Sequence, residues 1–272
     1  MQPRVDIVCR TREDDPVSSH SGQAAPRALI LAAGAGVRLH DGRPNGEELP
    51  KALLRFGGRS LLERHLASLR AAQVTDISIV VGYREDAIRK ELDGNGGASA
   101  RLIVNPDFEK GSIVSLLTGR EILESGTPVI LMDADVLYDV RLLARLLRAD
   151  KPNCLLLDRD IEPGDEPVKL CVANGHIVDF HKRPKIPHEW HGESVGFFRF
   201  TQDAAAELAK RAQAYVESGL TSLEYEEPIR DMILASPPDR FGFEDISGLP
   251  WTEIDFPQDV IKARALLPLL GE

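Results

Sequence analysis

The chain has 272 residues, of which 43% are hydrophobic, and a formal net charge of −10. That hydrophobic content is enough for a sizeable core in one large α/β domain or in two small ones. The negative charge argues against general binding to nucleic acid or to an anionic membrane, although a local cationic pocket for phosphates is compatible with it. We therefore expect a small-molecule partner, with no nucleic acid and no membrane.

The sequence contains no apolar run that approaches the roughly 20 residues needed to cross a bilayer. The first residues carry charges where a signal peptide has its apolar core, so we expect a cytoplasmic protein. Cys9, Cys154 and Cys171 are odd in number and lack C-x-x-C spacing, which favours free thiols over a disulfide framework or a zinc site.

Residues 1–26 are polar, mixed in charge and without periodicity, which predicts a flexible N-terminal extension. The folded part is then expected to span residues 27–272. Gly94, Gly96 and Gly97 are interpreted as part of a loop rather than of a low-complexity linker, so we prefer one domain over two independent ones.

The folded part begins with ALILAAGAGVRL over residues 28–39, a short apolar strand followed by a glycine-containing turn. Gly34 and Gly36 can take backbone angles closed to residues with a Cβ and allow main-chain N–H groups to approach an anion. Arg38 adds a planar, permanently charged guanidinium, and Lys51 in PKALL adds a second cation. The segment therefore indicates a grip for a nucleoside triphosphate.

Two other interpretations of this segment are weaker. An ordinary strand and turn without a ligand would explain a lone G-x-G, but not the AAG, arginine and later Pro-Lys around it. A dinucleotide-binding G-x-G-x-x-G fits poorly because Leu39 stands where the third glycine belongs.

The next elements alternate between strand and helix patterns. β-like runs occur in DISIVVGY, ARLIVNP and TPVILMDADVLY, and helical spacing occurs at Leu61–Leu69, at Ser112–Glu124 and in VRLLARLLRAD. This succession predicts an α/β fold with a doubly wound, mainly parallel sheet that binds ligands beyond the carboxyl ends of its strands.

The second half of the chain has more strand pattern. CLLLDRD, VKLCVANGHIVDFHK and SVGFFRF are interpreted as strands, with Asn174-Gly175 as a hairpin turn because both residues tolerate positive φ. An acidic, aromatic segment, LEYEEPIRDMI, and a closing GLPWTEIDFPQDVIKARALL follow.

Two aspartates end the most strongly apolar strand pattern, and a third lies in the closing segment. Asp133 and Asp135 are expected to project to one face at the ligand-binding edge, with helix capping or solvent exposure as the alternative. Carboxylates beside a triphosphate grip favour Mg²⁺, which commonly takes one or two of them plus phosphate oxygens. Asp255 is a second metal candidate and also a candidate N-cap, with Pro257 in the first turn of the closing helix.

These segments together resemble the nucleotidyltransferase superfamily over about residues 27–265. The resemblance rests on L-A-A-G-x-G-x-R-L followed by P-K, and on the closing pattern W-x-(D/E)-(I/V)-D-x-P-(E/Q)-D. The central NPDFEKGSIVSLLTGREIL is similar to the corresponding segment of cytidylyltransferases for small phosphorylated alcohols or phosphonates, such as inositol-1-phosphate, phosphocholine and aminoethylphosphonate.

The resemblance implies a Rossmann-like nucleotidyltransferase fold with an acceptor-binding β-hairpin region. It implies a nucleotide-binding half at about 27–150, an acceptor-binding half at about 151–250 and a closing helix at about 256–270. It also implies Mg²⁺ on Asp135 and Asp255, Arg38 at the leaving pyrophosphate and Lys51 at the α-phosphate, while Asp259 supports the helix. The nucleotide-binding residues that it indicates are Leu31, Ala32, Ala33, Gly34, Ala35, Gly36, Gly82, Ser112 and Asp133.

On the acceptor side, Lys182 resembles the lysine that family members place after the hairpin and is the third catalytic candidate, with a solvated surface lysine as an equal alternative. Glu193 is a candidate for an acceptor hydroxyl or amine. Tyr225 and Glu226, with Glu227 and Asp231, are candidates for binding a cationic group, but an exposed acidic helix is the favoured interpretation of this segment. The histidines match no familiar zinc spacing and receive no site role; they are His181, His188 and His191.

The functional hypothesis is a Mg²⁺-dependent transfer of a cytidylyl group from CTP to a small phosphorylated or phosphonate acceptor, releasing pyrophosphate. The alternatives are a sugar-1-phosphate nucleotidyltransferase using UTP, dTTP or GTP, and a non-catalytic nucleotide-binding subunit. The base preference rests on the resemblance alone, and self-association into a homo-oligomer is left open.

Overall fold

A computed structural model describes residues 24–39, 48–94, 100–161 and 164–271. Most of the predicted N-terminal extension therefore lies outside the described residues. The strands are β1 (Arg27–Ala32), β2 (Arg55–Phe56), β3 (Arg59–Ser60), β4 (Ile77–Val81), β5 (Ala100–Val104), β6 (Val129–Asp133), β7 (Val136–Tyr138), β8 (Cys154–Asp158), β9 (Lys169–Ala173), β10 (His176–His181), β11 (Trp190–Phe200), β12 (Gly242–Asp245) and β13 (Trp251–Glu253). The α-helices are α1 (Leu61–Ala71), α2 (Glu85–Gly94), α3 (Ser112–Thr118), α4 (Arg120–Leu123), α5 (Arg141–Arg148), α6 (Gln202–Glu217), α7 (Glu226–Leu234) and α8 (Pro257–Leu266).

The main sheet has nine strands, seven of them in the order β10-β9-β11-β6-β1-β4-β5. Strands β6, β1, β4 and β5 run parallel to one another, whereas β11 runs antiparallel to both β6 and β9. Strand β8 also pairs with β11, and β12 pairs with β8. The predicted α/β fold with a mainly parallel sheet is confirmed, and β11 joins its parallel region to the hairpin.

The sheet carries apolar side chains on both faces because helices cover both. Leu29 of β1 belongs to one core cluster, while Ala28 and Ile30 belong to the other. This alternation is expected for a strand whose successive side chains point to opposite faces. All five residues of β4 are buried, because helices cover both faces of the sheet.

Two segments differ from the sequence prediction. The run TPVILMDADVLY is two strands, because the chain turns after Asp133 and β7 pairs with β13 in a separate sheet. The predicted helix from Ser112 to Glu124 is divided into α3 and α4 at Gly119, where a Cβ would lie 2.6 Å from the Leu29 side chain. Close packing on β1 therefore accounts for the glycine at this break.

The Asn174-Gly175 hairpin turn is confirmed. The two residues connect β9 to β10 with φ of 51° and 76°, the paired positive values that a two-residue type I′ turn requires. Among the described helices, none combines the length and apolar character that a membrane crossing demands.

Candidate active site

A cavity of about 270 Å³ opens beyond the carboxyl ends of β1 and β6. Elements from both halves of the chain form its walls. The sequence-predicted residues among them are Leu31, Ala33, Gly34, Arg38, Ser112, Asp133, Asp135, Lys182, Glu193, Tyr225, Glu226 and Asp255. The turn after β1, the two strand-end aspartates and the acceptor candidates thus meet at one cavity.

The two glycines of the turn after β1 differ. Gly36 has a φ of 63°, as predicted for a glycine that adopts left-handed backbone angles. The same expectation for Gly34 is wrong, because its φ lies outside the positive range. Gly34 instead lines the cavity, and an added Cβ would meet no atom within 4 Å, so the space beside its backbone is open to a ligand.

Five predicted residues do not line this cavity: Ala32, Ala35, Gly36, Lys51 and Gly82. Ala32 is 7% exposed and belongs to the core cluster on the opposite face of the sheet. Gly82 lies behind Phe108, whose Cβ would be 2.5 Å from a Cβ at that position. The glycine therefore allows Phe108, which does line the cavity, to pack closely against the end of β4.

Three carboxylates meet at one side of the cavity. Oxygen atoms of Asp135, Glu253 and Asp255 lie within 4.8 Å of one another, in the one group of this kind within the described residues. The pairing of β7 with β13 brings them together, and the Ile254 N–H donates to the Asp135 carbonyl at 3.0 Å. The expectation that Asp135 and Asp255 lie close together is therefore confirmed.

Glu253 is a site residue that the sequence interpretation missed. It precedes Asp255 by two residues in WTEIDF, and alternate residues of an extended segment project to the same side. That spacing was the available signal.

Lys51 lies behind the cavity wall, between two of the carboxylates. Its Nζ is 2.9 Å from Asp135 Oδ2 and 2.5 Å from Asp255 Oδ1. Burial alone would lower the pKa of Lys51, but the charges of Asp135 and Asp255 outweigh burial and raise it above the ordinary value. Lys51 is therefore a fixed positive charge at the carboxylate group.

Arg38 contacts the same group from the turn after β1. Its guanidinium lies 2.8 Å from Asp255 Oδ2 through one nitrogen and 2.8 Å from Glu166 Oε2 through the other. The side chain remains 45% exposed at the mouth of the cavity. Sequence inspection gave no signal for Glu166, because it lies 128 residues away from Arg38.

The negative charge at the cavity exceeds what these two cations neutralise. Surrounding protein and the charges of Asp135 and Asp255 raise the pKa of Glu253 well above its usual range, although its side chain still meets solvent through the cavity. Burial and the Asp135 charge likewise raise the pKa of Asp133. Clustered carboxylate oxygens with unneutralised charge match the oxygen ligands that Mg²⁺ prefers, so this donor set fits a divalent cation.

Asp133 is held by a different partner. The Tyr225 hydroxyl donates to Asp133 Oδ2 at 2.5 Å, and the Tyr225 N–H donates to Ser112 Oγ at 3.0 Å. Burial, with the nearby charge of Glu224, raises the pKa of Glu226 to about 8. This side of the cavity is thus acidic and pairs Asp133 with a hydroxyl group.

The acceptor candidates are only partly brought together. Lys182 lines the cavity, with its Nζ 2.7 Å from Glu224 Oε1. Glu227 contacts His181 in an adjoining cavity of about 260 Å³, whereas Asp231 accepts a hydrogen bond from the Tyr215 hydroxyl and lines neither cavity. Of the four predicted residues of this acidic segment, Tyr225 and Glu226 therefore line the main cavity, whereas Glu227 and Asp231 do not.

The helix-cap interpretation of Asp255 is wrong. Phe256 occupies the N-cap position of α8, and Pro257 is the first helical residue. The Asp259 carboxylate accepts from the N–H groups of Asp255 and Phe256 at 2.9 and 2.7 Å. Asp259 supports the helix as predicted, and this leaves the Asp255 carboxylate free of a capping role.

The fold and the cavity define a class. An α/β sheet whose carboxyl edge carries a glycine turn beside three clustered carboxylates has the architecture of a nucleotide-binding fold. The model of the MobA-like NTP transferase domain matches residues 28–179, more than half of the chain. The chain belongs to this family of nucleotidyltransferases.

Relatives extend the similarity beyond the matched residues. The chain is 30% identical over 250 residues to a bifunctional IPC transferase and DIPP synthase of Rubrobacter xylanophilus, covering 90% of this chain and 52% of that protein. It is 27% identical over 239 residues to a CMP-5'-(3-aminopropyl)phosphonate synthase of Streptomyces rubellomurinus, covering 86% and 37%. The chain thus spans about half of the first relative and less of the second.

A solved structure has the same fold. CTP:phosphocholine cytidylyltransferase from Streptococcus pneumoniae superposes with a TM-score of 0.70 at 23% identity, covering 90% of this chain and all of that one.

Proposed function

We propose that this protein transfers a cytidylyl group from CTP to a small phosphorylated or phosphonate acceptor and releases pyrophosphate, with Mg²⁺ as cofactor. The observation that carries the proposal is the meeting of Asp135, Glu253 and Asp255 with the turn after β1 at one cavity. The choice of CTP is supported by the phosphonate CMP synthase and the phosphocholine cytidylyltransferase that the chain resembles.

In this proposal the triphosphate lies along the turn after β1. Gly34 leaves space for an anion beside the backbone, and Arg38 offers an exposed guanidinium at the same mouth. Binding of the pyrophosphate group would exchange the Arg38 contacts with Glu166 and Asp255 for contacts with phosphate oxygens. Lys51, fixed behind Asp135 and Asp255, limits the repulsion between these carboxylates and the bound phosphates.

Asp135 and Asp255 would hold the Mg²⁺, with Glu253 as a third oxygen donor. The bound ion supplies positive charge at the phosphate that is transferred. A phosphate or phosphonate acceptor needs no dedicated base, because its oxygen is largely ionised near neutral pH. The main task of the protein is therefore to hold two anions close together in the correct orientation.

We place the acceptor on the side of Lys182, Glu193 and Glu226. Lys182 is the cation available there for the acceptor phosphate or phosphonate. A third cavity, of about 760 Å³, shares Glu193 and Glu253 with the first and provides further room beside the carboxylates. Two substrates can thus approach the carboxylate group from adjoining spaces.

A turnover matrix tests this proposal. Purified protein is incubated with Mg²⁺, each nucleoside triphosphate and each of inositol-1-phosphate, phosphocholine and aminoethylphosphonate, and pyrophosphate is measured. We expect release with CTP and at least one of these acceptors, and loss of that release when EDTA is added. Release only with UTP or dTTP and glucose-1-phosphate would contradict the proposal, as would nucleotide binding without turnover.

A further inference from the structure

His65 is completely buried in α1, and it does not line the candidate active site. Its Nε2 lies 3.2 Å from the Ala134 carbonyl oxygen, and its Nδ1 lies 3.3 Å from the Tyr138 hydroxyl. The ring stacks on Tyr138 and meets the edge of Phe197. A histidine with both nitrogens paired inside a core occupies one defined orientation.

The partners determine which nitrogen of His65 carries the proton. A carbonyl oxygen only accepts, so Nε2 must be protonated and must donate to Ala134. Nδ1 then accepts from the Tyr138 hydroxyl, which also has a hydrogen bond with the Ser68 side chain. Burial keeps the imidazole neutral by lowering its pKa to about 4.

Ala134 lies between the two strand-end aspartates, and three hydrogen bonds hold the turn around it. The Ala134 N–H donates to the Leu31 carbonyl at 3.1 Å, and the Asp135 carbonyl accepts from the Ile254 N–H at 3.0 Å. Both of these bonds are between backbone groups. The third hydrogen bond comes from a side chain: His65 Nε2–H donates to the Ala134 carbonyl oxygen.

We propose that His65 is a positioning residue for the proposed Mg²⁺ site, because its Nε2–H fixes the Ala134–Asp135 peptide and thereby aims the Asp135 carboxylate. The inference rests on the proposed function, since it concerns the same carboxylates. It assigns a role to a residue that lies 70 positions away from Asp135 in the sequence and does not line the cavity. Outer residues of this kind commonly change metal affinity 10- to 100-fold when they are replaced.

Four variants separate positioning from general packing. His65→Leu keeps an apolar side chain and removes the donor, whereas His65→Gln places an amide N–H near the former Nε2 position. Leu69→Ala is the control, because Leu69 is equally buried on the same helix and is not among the cavity residues. Tyr138→Phe removes the hydroxyl that donates to His65 Nδ1, and it supplies a milder variant should His65→Leu fail to fold.

Mg²⁺ binding is measured by calorimetry without substrates, together with kcat, the KM for CTP and the melting temperature. We expect His65→Leu to weaken Mg²⁺ binding at least about tenfold and to lower kcat. His65→Gln should recover Mg²⁺ binding to within about threefold of the wild type, and Tyr138→Phe should shift it in the same direction as His65→Leu by a smaller factor. Leu69→Ala should lower the melting temperature without changing Mg²⁺ binding.

Equal Mg²⁺ binding by His65→Leu and Leu69→Ala would overturn the inference, as would a His65→Gln variant no better than His65→Leu. Absence of Mg²⁺ binding by the wild type would also overturn it. The calorimetry needs no turnover, so a wild type that binds Mg²⁺ but transfers no cytidylyl group would refute the proposed function alone.

Discussion

The two sides of the cavity pair their carboxylates with different partners. On one side, Asp135 and Asp255 share the ammonium group of Lys51, and Asp255 also contacts Arg38. On the other side, the Asp133 carboxylate receives the Tyr225 hydroxyl. Burial, together with the charges of Asp135 and Glu226, raises the pKa of Asp133, whereas the hydrogen bond from Tyr225 opposes that rise. Clustered carboxylate oxygens make the first side suited to a divalent cation, whereas the second side pairs a buried carboxylate with a hydroxyl group.

The first prediction addresses the side that holds cations. Asp135→Asn and Asp255→Asn preserve the shape of each side chain and remove its charge. Each should reduce cytidylyl turnover by about 100- to 1,000-fold, because each removes an electrostatic group at the reacting phosphate. Steady-state turnover is the measurement, and Asp107→Asn, in an exposed ion pair with Lys110, is the matched control. A reduction below tenfold would remove these carboxylates from the proposed mechanism.

The second prediction tests the charge balance on that side. Lys51→Met leaves Asp135 and Asp255 without their shared ammonium group, and it should destabilise the fold by about 3 kcal/mol. Mg²⁺ should raise the melting temperature of Lys51→Met more than that of the wild type, because the ion replaces the missing charge. Thermal unfolding with and without Mg²⁺ is the measurement. Lys151→Met, at an exposed pair with Asp239, should stay within about 1 kcal/mol of the wild type.

The third prediction uses the pH dependence of folding stability. Folded His65 has a pKa of about 4, whereas a free histidine side chain has a pKa of 6.5. Between these values the unfolded chain binds a proton that the folded chain excludes, so stability is lost as the pH falls from about 6.5 to 4. The loss is at most about 3 kcal/mol from this residue.

Denaturant unfolding of the wild type and His65→Gln across this pH range measures the contribution of His65. The wild type should lose more stability than the variant on acidification, because glutamine does not titrate. Tyr138 and Asp135 are titratable groups near the ring and are present in both proteins, so their effects largely cancel. Parallel stability curves for the two proteins would contradict the burial of a neutral His65.

The fourth prediction has the smallest expected effect and concerns the hydroxyl-paired side. Gly196 has a φ of 75°, and an added Cβ would lie 2.2 Å from Asp133 Oδ2. Gly219 has a φ of 77° with no atom within 4 Å of such a Cβ, so Gly219→Ala carries the backbone strain alone. Gly196→Ala should cost about 1 kcal/mol more than this control, because Asp133 must move away from Tyr225. Equal costs would show that the Asp133 position is not constrained.

Much of the fold could be predicted because its signals are local. The Asn174-Gly175 turn follows from the backbone angles that these two residues tolerate, and the strands around it follow from their residue patterns. The division of TPVILMDADVLY into two strands was not predicted, because β7 leaves the main sheet to pair with β13. Periodicity marks a strand but does not identify its partner.

The candidate site was predicted only in part, because some of its residues belong to local motifs and others meet only in the folded chain. Asp135 and Asp255 were selected as a pair from their motifs, and they do lie together. Metal binding and the roles of the nucleotide and acceptor residues stay predictions. Glu253 was missed although its spacing from Asp255 marked it, and the Arg38–Glu166 contact had no sequence signal.

The sequence by itself determined the class of this protein, because the glycine turn, the cations beside it and the closing aspartate motif are short segments with fixed local geometry. The tertiary structure alone decided how the charges are paired: Lys51 between two aspartates, Asp133 with Tyr225, and His65 beneath the turn that joins the aspartates. These contacts join residues 69 to 204 positions apart, and they form only when strands pair and helices pack over the sheet. Such contacts depend on which strands pair and which side chains become buried together, so they cannot be predicted from any single segment.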